Sequence, residues 1–281
     1  VKLSVLLLGS GISDGARHSD MSWQTEKGAE AMLCSVNELM NYQMMASDGE
    51  IGRSKDFLFD ERNWVVRYMV ADAHKWLPRL TVLVSPIALD LLDCENRRLP
   101  VKMTRNEIED GPPLEQDATV SREYEIRLFK HYGWLPYWAG NDVWGTVRYP
   151  NLLYGKKQEE FAEEAQEPKS EQLRSVNEVK GLHIQASNGK VGHVEDFILD
   201  EPVWILRYMV VDTLNFLPGR EKEVLLKLEH VNSVDWADRK MRVNLNTEAI
   251  RNSPEYDLSV PLNREFELVL HDYYGWPKYW E

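Results

Sequence analysis

Four acidic residues recur along this chain at a constant spacing. Asp56, Asp60, Glu61 and Asp72 return as Asp196, Asp200, Glu201 and Asp212, and Arg67 returns as Arg207. Paired carboxylates can do acid–base work. A carboxylate opposite an arginine does something else: it neutralises a guanidinium that is costly to bury alone. Placement favours the second role. Asp60 and Glu61 fall at a turn, where acids are common. A four-residue loop from Asp60 to Asn63 pairs Phe59 with Trp64. Counting back from there sets Asp56 opposite Arg67 and Asp196 opposite Arg207. Both pairs are expected to be buried cross-strand ion pairs with a structural role.

Histidine is the usual general base and metal ligand. His18, His74, His131, His183, His193, His230 and His271 have no histidine at the matching position of the repeat, and no HExxH is present. No metal or cofactor is expected. No G-x-S-x-G, P-loop or kinase pattern marks a catalytic site. Gly9-Ser-Gly11 opens like a dinucleotide-binding turn, but Asp14 stands where its third glycine belongs. Cys34 and Cys94 form no CxxC, and their counterparts are Arg174 and Trp236. Neither a disulfide framework nor a zinc site is indicated. Cys34 reads as a buried thiol rather than a nucleophile. A reducing, cytoplasmic setting is the expectation.

The elements that must position these residues are themselves duplicated. Residues 33–78 align without a gap to 173–218, with 21 of 46 positions identical. The offset is 140, and it becomes 142 after an insertion near Arg220. The chain therefore divides into a leader or extension (1–32), a first copy (33–138), an acidic linker (139–172) and a second copy (173–281). Duplication supplies an internal test: what the fold needs should recur, whereas an active-site residue can occur once.

Each copy opens with Ser-Val-Asn-Glu, a capping box over one helical turn. Asp48-Gly49 and Asn188-Gly189 fit the centre of type I′ hairpins. Gly52 and Gly192 mark close backbone approach or a bulge. The strands from Trp64 and Trp204 are apolar on both faces, hence central and buried. Leu99, Val101 and Met103 alternate with polar neighbours, as a half-buried strand does. Ser121 and Asn263 are N-caps of closing helices, and Gly133 and Gly275 are stops. In the second helix Phe266, Val269, Leu270 and Tyr273 form an apolar stripe. Aromatic tails follow, with Trp134, Tyr137 and Trp138 in one copy and Trp276, Tyr279 and Trp280 in the other. They either pack on their own domain or anchor an interface.

The order of these motifs resembles the PRC-barrel domain: an Asp/Asn-Gly hairpin, "DFLFD" or "DFILD", Trp-x-x-Arg-Tyr-Met-Val, Leu-Pro and two further strands. The ending "YYGWPKYW" is similar to that of stand-alone bacterial PRC-barrel proteins. The resemblance spans both copies. It implies a mainly β protein of two small, strongly bent antiparallel barrels, each with a short C-terminal helix, and a role in assembly or protein contact. The photosynthetic reaction-centre H subunit shares the domain but has a transmembrane helix, which is not found here.

The net charge is −13, and every segment is acidic. Nucleic-acid binding needs clustered Lys and Arg, so it is not expected. No stretch reaches the length of a membrane span. The expectation is a non-enzymatic protein-binding or scaffold protein with barrel–barrel contact inside the chain and a capacity for homo-oligomers. Its alternatives are a small-ligand sensor or enzyme with a site between the barrels, and an accessory role in electron transfer. A pocket whose polar residues occur in one copy alone would separate these; His74, Cys94, His131 and His183 are candidates.

Overall fold

The computed structural model describes residues 33–74, 77, 80–115, 118–155, 172–213 and 222–280. The leader and part of the linker lie outside them. The chain is mainly β. The first copy contains β1 (Leu33–Ser35), α1 (Val36–Leu39), β2 (Gln43–Ala46), β3 (Gly49–Asp60), β4 (Val65–Asp72), β5 (Val82–Val84), β6 (Arg98–Pro100), α2 (Arg105–Glu109) and α3 (Arg122–Tyr132). The second contains β7 (Leu173–Ser175), α4 (Val176–Val179), β8 (His183–Ala186), β9 (Gly189–Asp200), β10 (Ile205–Asp212), β11 (Glu223–Lys227), β12 (Val231–Asp235), β13 (Lys240–Val243), α5 (Thr247–Asn252) and α6 (Arg264–Tyr274).

All thirteen strands belong to one mixed sheet that does not close. Its spine runs β12-β13-β8-β9-β10-β4-β3-β2-β6, so the copies meet at β10 and β4. There Val65 pairs with Ile205. Val66 N–H donates to Trp204 O and Leu206 N–H to Trp64 O, both at 2.8 Å. β4 is buried along most of both faces, as its apolar sequence requires. The main core runs through both copies, with Phe59, Val65, Phe197 and Leu206 in one cluster. No helix among the described residues is long and apolar enough to cross a membrane.

The opening strands change sides. β1 of the first copy pairs with β9 of the second, and β7 of the second with β3 of the first. Each copy thus completes the other's sheet edge.

The register differs from the count above. The hairpin loop runs from Glu61 to Trp64, so Asp60 rather than Phe59 opens the ladder, opposite Val65. Arg67 is then an extra residue between Val66, which faces Phe59, and Tyr68, which faces Leu58. Arg207 is the matching bulge, between Leu206 and Tyr208. A bulge re-aims its side chain. Asp56 therefore lies opposite Val70, and Asp196 opposite Val210.

Other local expectations divide. Gly52 and Gly192 are demanded by close approach: a Cβ there would stand 2.0 Å from Asp72 O or Asp212 O. The first hairpins turn at Ser47-Asp48 and its twin, with Gly49 and Gly189 already in the ladder opposite Ala46 and Ala186. Asp48 and Asn188 do not take the positive φ of a type I′ turn. Their side chains instead accept from Arg105 N–H and Thr247 N–H, at the starts of α2 and α5. The caps at Ser121 and Asn263 form as expected. α6 turns a different face inward: Glu267, Leu270 and His271 are buried, while Val269 and Tyr273 are exposed.

Residues 139–155, expected within a linker, are folded. Trp144 and Leu153 are fully buried there.

Candidate functional site

The register count put Asp56 and Arg67 together; the structure does not. Arg67 Nε and Nη2 reach Asp60 Oδ2 at 2.8 and 2.7 Å, with both side chains buried. Arg207 does the same with Asp200, at 2.8 and 2.6 Å. The bulge provides the reason, because it swings the guanidinium back toward the hairpin's start. The ion pair is present in both copies, but its carboxylate is the turn acid.

Asp56 and Asp196 have another use. Ser35 Oγ donates to Asp196 Oδ2 at 2.5 Å and Asn37 N–H to Oδ1 at 3.0 Å. Ser175 Oγ donates to Asp56 Oδ2 at 2.5 Å and Asn177 N–H to Oδ1 at 3.4 Å. Each Ser-Val-Asn-Glu motif thus caps its own helix turn and ties it to the opposite copy. Burial pushes Asp196 up to about 6, against the pull of Ser35. Asp56 is raised too, again by burial first.

Behind each ion pair lies a buried polar cluster. Glu125 accepts from Tyr68 (2.9 Å) and Tyr137 (2.8 Å) and pairs with Arg122 (2.9 Å). Glu267 accepts from Tyr208 (2.8 Å) and Tyr279 (2.9 Å) and pairs with Arg264 (2.7 Å). Burial raises both carboxyls, and the phenol donors oppose it. Arg67 also stacks on Tyr137 at 3.9 Å, and Arg207 on Tyr279 at 4.2 Å. Trp138 covers Arg122 and Trp280 covers Arg264. Trp134 meets Phe129 edge-on, and Trp276 stacks on Tyr274. Both tails therefore pack on their own copy. The ring that reaches across is Trp144, whose indole N–H donates to Val203 O at 2.9 Å. Its neighbours Val143 and Leu152-Leu153-Tyr154 are an apolar signal in the sequence that the linker expectation passed over.

Some features occur once. His271 replaces Phe129, and its Nε2 lies 2.8 Å from Tyr208 Oη. Burial lowers its pKa. Arg174 pairs with Glu61 at 3.1 Å and covers Trp236. In the twin place Cys34 and Cys94 stand near Glu201. Burial pushes Cys34 up to about 12, with Cys94 adding to it, so this thiol is not activated. Glu201 has no arginine at the twin position, and burial pushes it up to about 7. His193 lies 3.6 and 3.7 Å from Glu195 and Asp212. His131 and His183 are exposed. No group of three or more metal-ligating side chains is assembled among the described residues.

A further asymmetry is a cavity. Beside the seam, on the first copy, a pocket of about 360 Å³ lies between β3, β4, β5 and the incoming β7. That size suits a small ligand. Leu58, Val70, Leu83, Leu114, Val120 and Leu173 form its apolar walls. Asp56, Asp72, Glu178, Lys55 and His74 supply charge and polarity. His74 Nε2 stands 3.8 Å from Asp72 Oδ1. Among the described residues, the matching place of the second copy is packed more tightly. Leu33, Ile198, Val210, Leu225 and Leu262 are buried there, whereas their counterparts Leu173, Leu58, Val70, Leu83 and Val120 are half-buried. Tyr256 stands in that cluster in the place of the smaller Leu114.

No protein-family model and no curated protein matches this chain.

Proposed function

We propose that this is a non-enzymatic binding protein: a fused pseudo-dimer of two PRC-barrel-like halves that binds its partner molecule in the cleft beside the seam. The motif resemblance supports the barrel-like character of each half, as do the bulges that bend β3, β4, β9 and β10. The repeated charged residues support a structural rather than chemical use of the duplication. Asp60 and Arg67 steady a hairpin, Asp56 anchors the opposite copy, and Glu125 holds two tyrosines and an arginine. What carries the binding reading is the open cleft in one copy against a filled cleft in the other. Two sites derived from one ancestor should share their packing unless one of them is kept open for use.

The test is purification from the protein's own cells, followed by native mass spectrometry. Wild type should retain a molecule that a Leu114→Tyr variant, closed like its twin, does not. An identical mass profile for the two folded proteins would refute the reading.

A further inference from the structure

The filled twin shows what shape and polarity the open cleft accepts. Tyr256 lies among Leu33, Ile198, Val210, Leu225 and Leu262, with its ring 5.6 Å from Phe266. Its hydroxyl donates to Val260 O at 3.3 Å. Asp196 and Glu38 act on that hydroxyl electrostatically, in addition to burial, and raise its pKa. Most of these neighbours have a counterpart around the open cleft: Leu173, Leu58, Val70, Leu83 and Val120 for the walls, Asp56 and Glu178 for the acids. The backbone links the same two positions in both copies, through bonds of opposite sense. Tyr256 N–H donates to Glu223 O in one copy, and Thr81 N–H donates to Leu114 O in the other. The open cleft is therefore a tyrosine-shaped site without its tyrosine.

Charge narrows the ligand further. Three carboxylates, Asp56, Asp72 and Glu178, face one ammonium, that of Lys55, with the His74 imidazole beside Asp72. Asp72, Glu178 and Lys55 are exposed at its rim and Asp56 is partly buried, and an acidic excess lining a concave site favours a cation over an anion. We infer that the cleft binds a small aromatic amine, a flat ring against Leu58, Val70, Leu83 and Val120 with its ammonium group toward Asp72 and Glu178. This rests on the cleft-binding reading above and adds to it the chemical class of the ligand.

The experiment uses the full chain and titration calorimetry with tyramine, which combines the twin's phenol ring with an ammonium. Three comparison probes separate the contributions: 4-ethylphenol lacks the charge, 4-hydroxyphenylacetate reverses it, and isoamylamine lacks the ring. Tyramine should bind with one site per chain, and each of the others about tenfold more weakly or worse. Leu114→Tyr should abolish tyramine binding. Asp72→Asn should weaken tyramine several-fold yet leave 4-ethylphenol unchanged. Methyl NMR shifts induced by tyramine should centre on Val70, Leu83 and Val120, which tests the site even where Leu114→Tyr does not fold. Three results would overturn the inference: tyramine binding no tighter than 4-hydroxyphenylacetate, undiminished binding to folded Leu114→Tyr, or shifts centred elsewhere. A natural ligand that Leu114→Tyr loses but that lacks an aromatic ammonium would also overturn it, while the cleft would remain a binding site.

Discussion

Arg67 shows how much one residue's placement depends on a single extra position. Its guanidinium is buried against Asp60, which also accepts Asn63 N–H at 2.6 Å and so closes the hairpin. Removing the arginine alone leaves a fully buried carboxylate without its counter-charge. Arg67→Met should therefore cost about 3–5 kcal/mol. A double-mutant cycle in urea should give strong coupling between positions 67 and 60 and none between 67 and 56. Coupling to Asp56 instead would restore the simple hairpin count. The types of these residues were legible in the sequence, because duplication kept Asp60, Arg67 and Asp56 in both copies. The pairing was not, because nothing in an apolar run says which residue bulges. Glu201 was equally opaque, since its environment depends on Cys34 standing where the other copy has Arg174. Its folded value near 7 lies above the unfolded value of about 4.5. The folded state thus holds this proton more tightly. The penalty is absent below about pH 4.5, grows with rising pH, and is complete above about 7. Glu201→Gln should stabilise the protein by about 2–3 kcal/mol at pH 8. At pH 4.5 it should give no gain. An equal gain at both pH values, read from urea denaturation, would remove burial of the charge as the cause.

At the scale of elements, local chemistry was readable and its tertiary use was not. The capping serines Ser35 and Ser175, the stops Gly133 and Gly275 and the alternation around Leu99 follow from rules that act within a few residues. The hairpin turns moved by one residue, and Asp48 and Asn188 there accept from the first N–H groups of α2 and α5. The inward face of α6 moved because Tyr208, Tyr279 and Arg264 satisfy Glu267, which lets a carboxylate occupy the core. A hydrophobic-stripe argument assigns that place to Val269. The capping serines gain their second role from the exchange of β1 and β7. Asp196 is fully buried, whereas Asp56 is only partly buried. Ser35→Ala removes a cap and deprives a buried carboxylate of a donor, for about 2–4 kcal/mol in all. Ser175→Ala should cost about 1 kcal/mol, since water can replace its hydroxyl at Asp56. Equal losses in thermal or urea melts of the two variants would show that burial of Asp196 does not set the difference.

At the scale of the molecule, the duplication was plain and the way its copies join was hidden. Two identical Ser-Val-Asn-Glu motifs fit either copy equally well, so the pattern cannot tell docking at home from docking across. The structure docks across, and this makes each half incomplete by itself. Without β7, β3 presents open N–H and C=O groups along Leu58–Asp60. Without β1, β9 does so along Ile198–Asp200. Bare edges of this kind seek another strand. The seam adds the paired bonds at Trp64 and Trp204, whose positive φ of 57° and 58° is unusual for such bulky residues and is held by those same bonds. Trp144 then bridges to Val203. A half expressed alone should therefore be unable to stay a monomer. Residues 33–155 and 172–281 made as separate chains should form a 1:1 complex on mixing, and each alone should self-associate through the same exchange or aggregate. Sedimentation of the separate and mixed halves decides it. Two stable, well-folded monomers that ignore each other would mean that the exchanged strands and the seam contribute little, and that the pseudo-dimer is two independent domains on one chain.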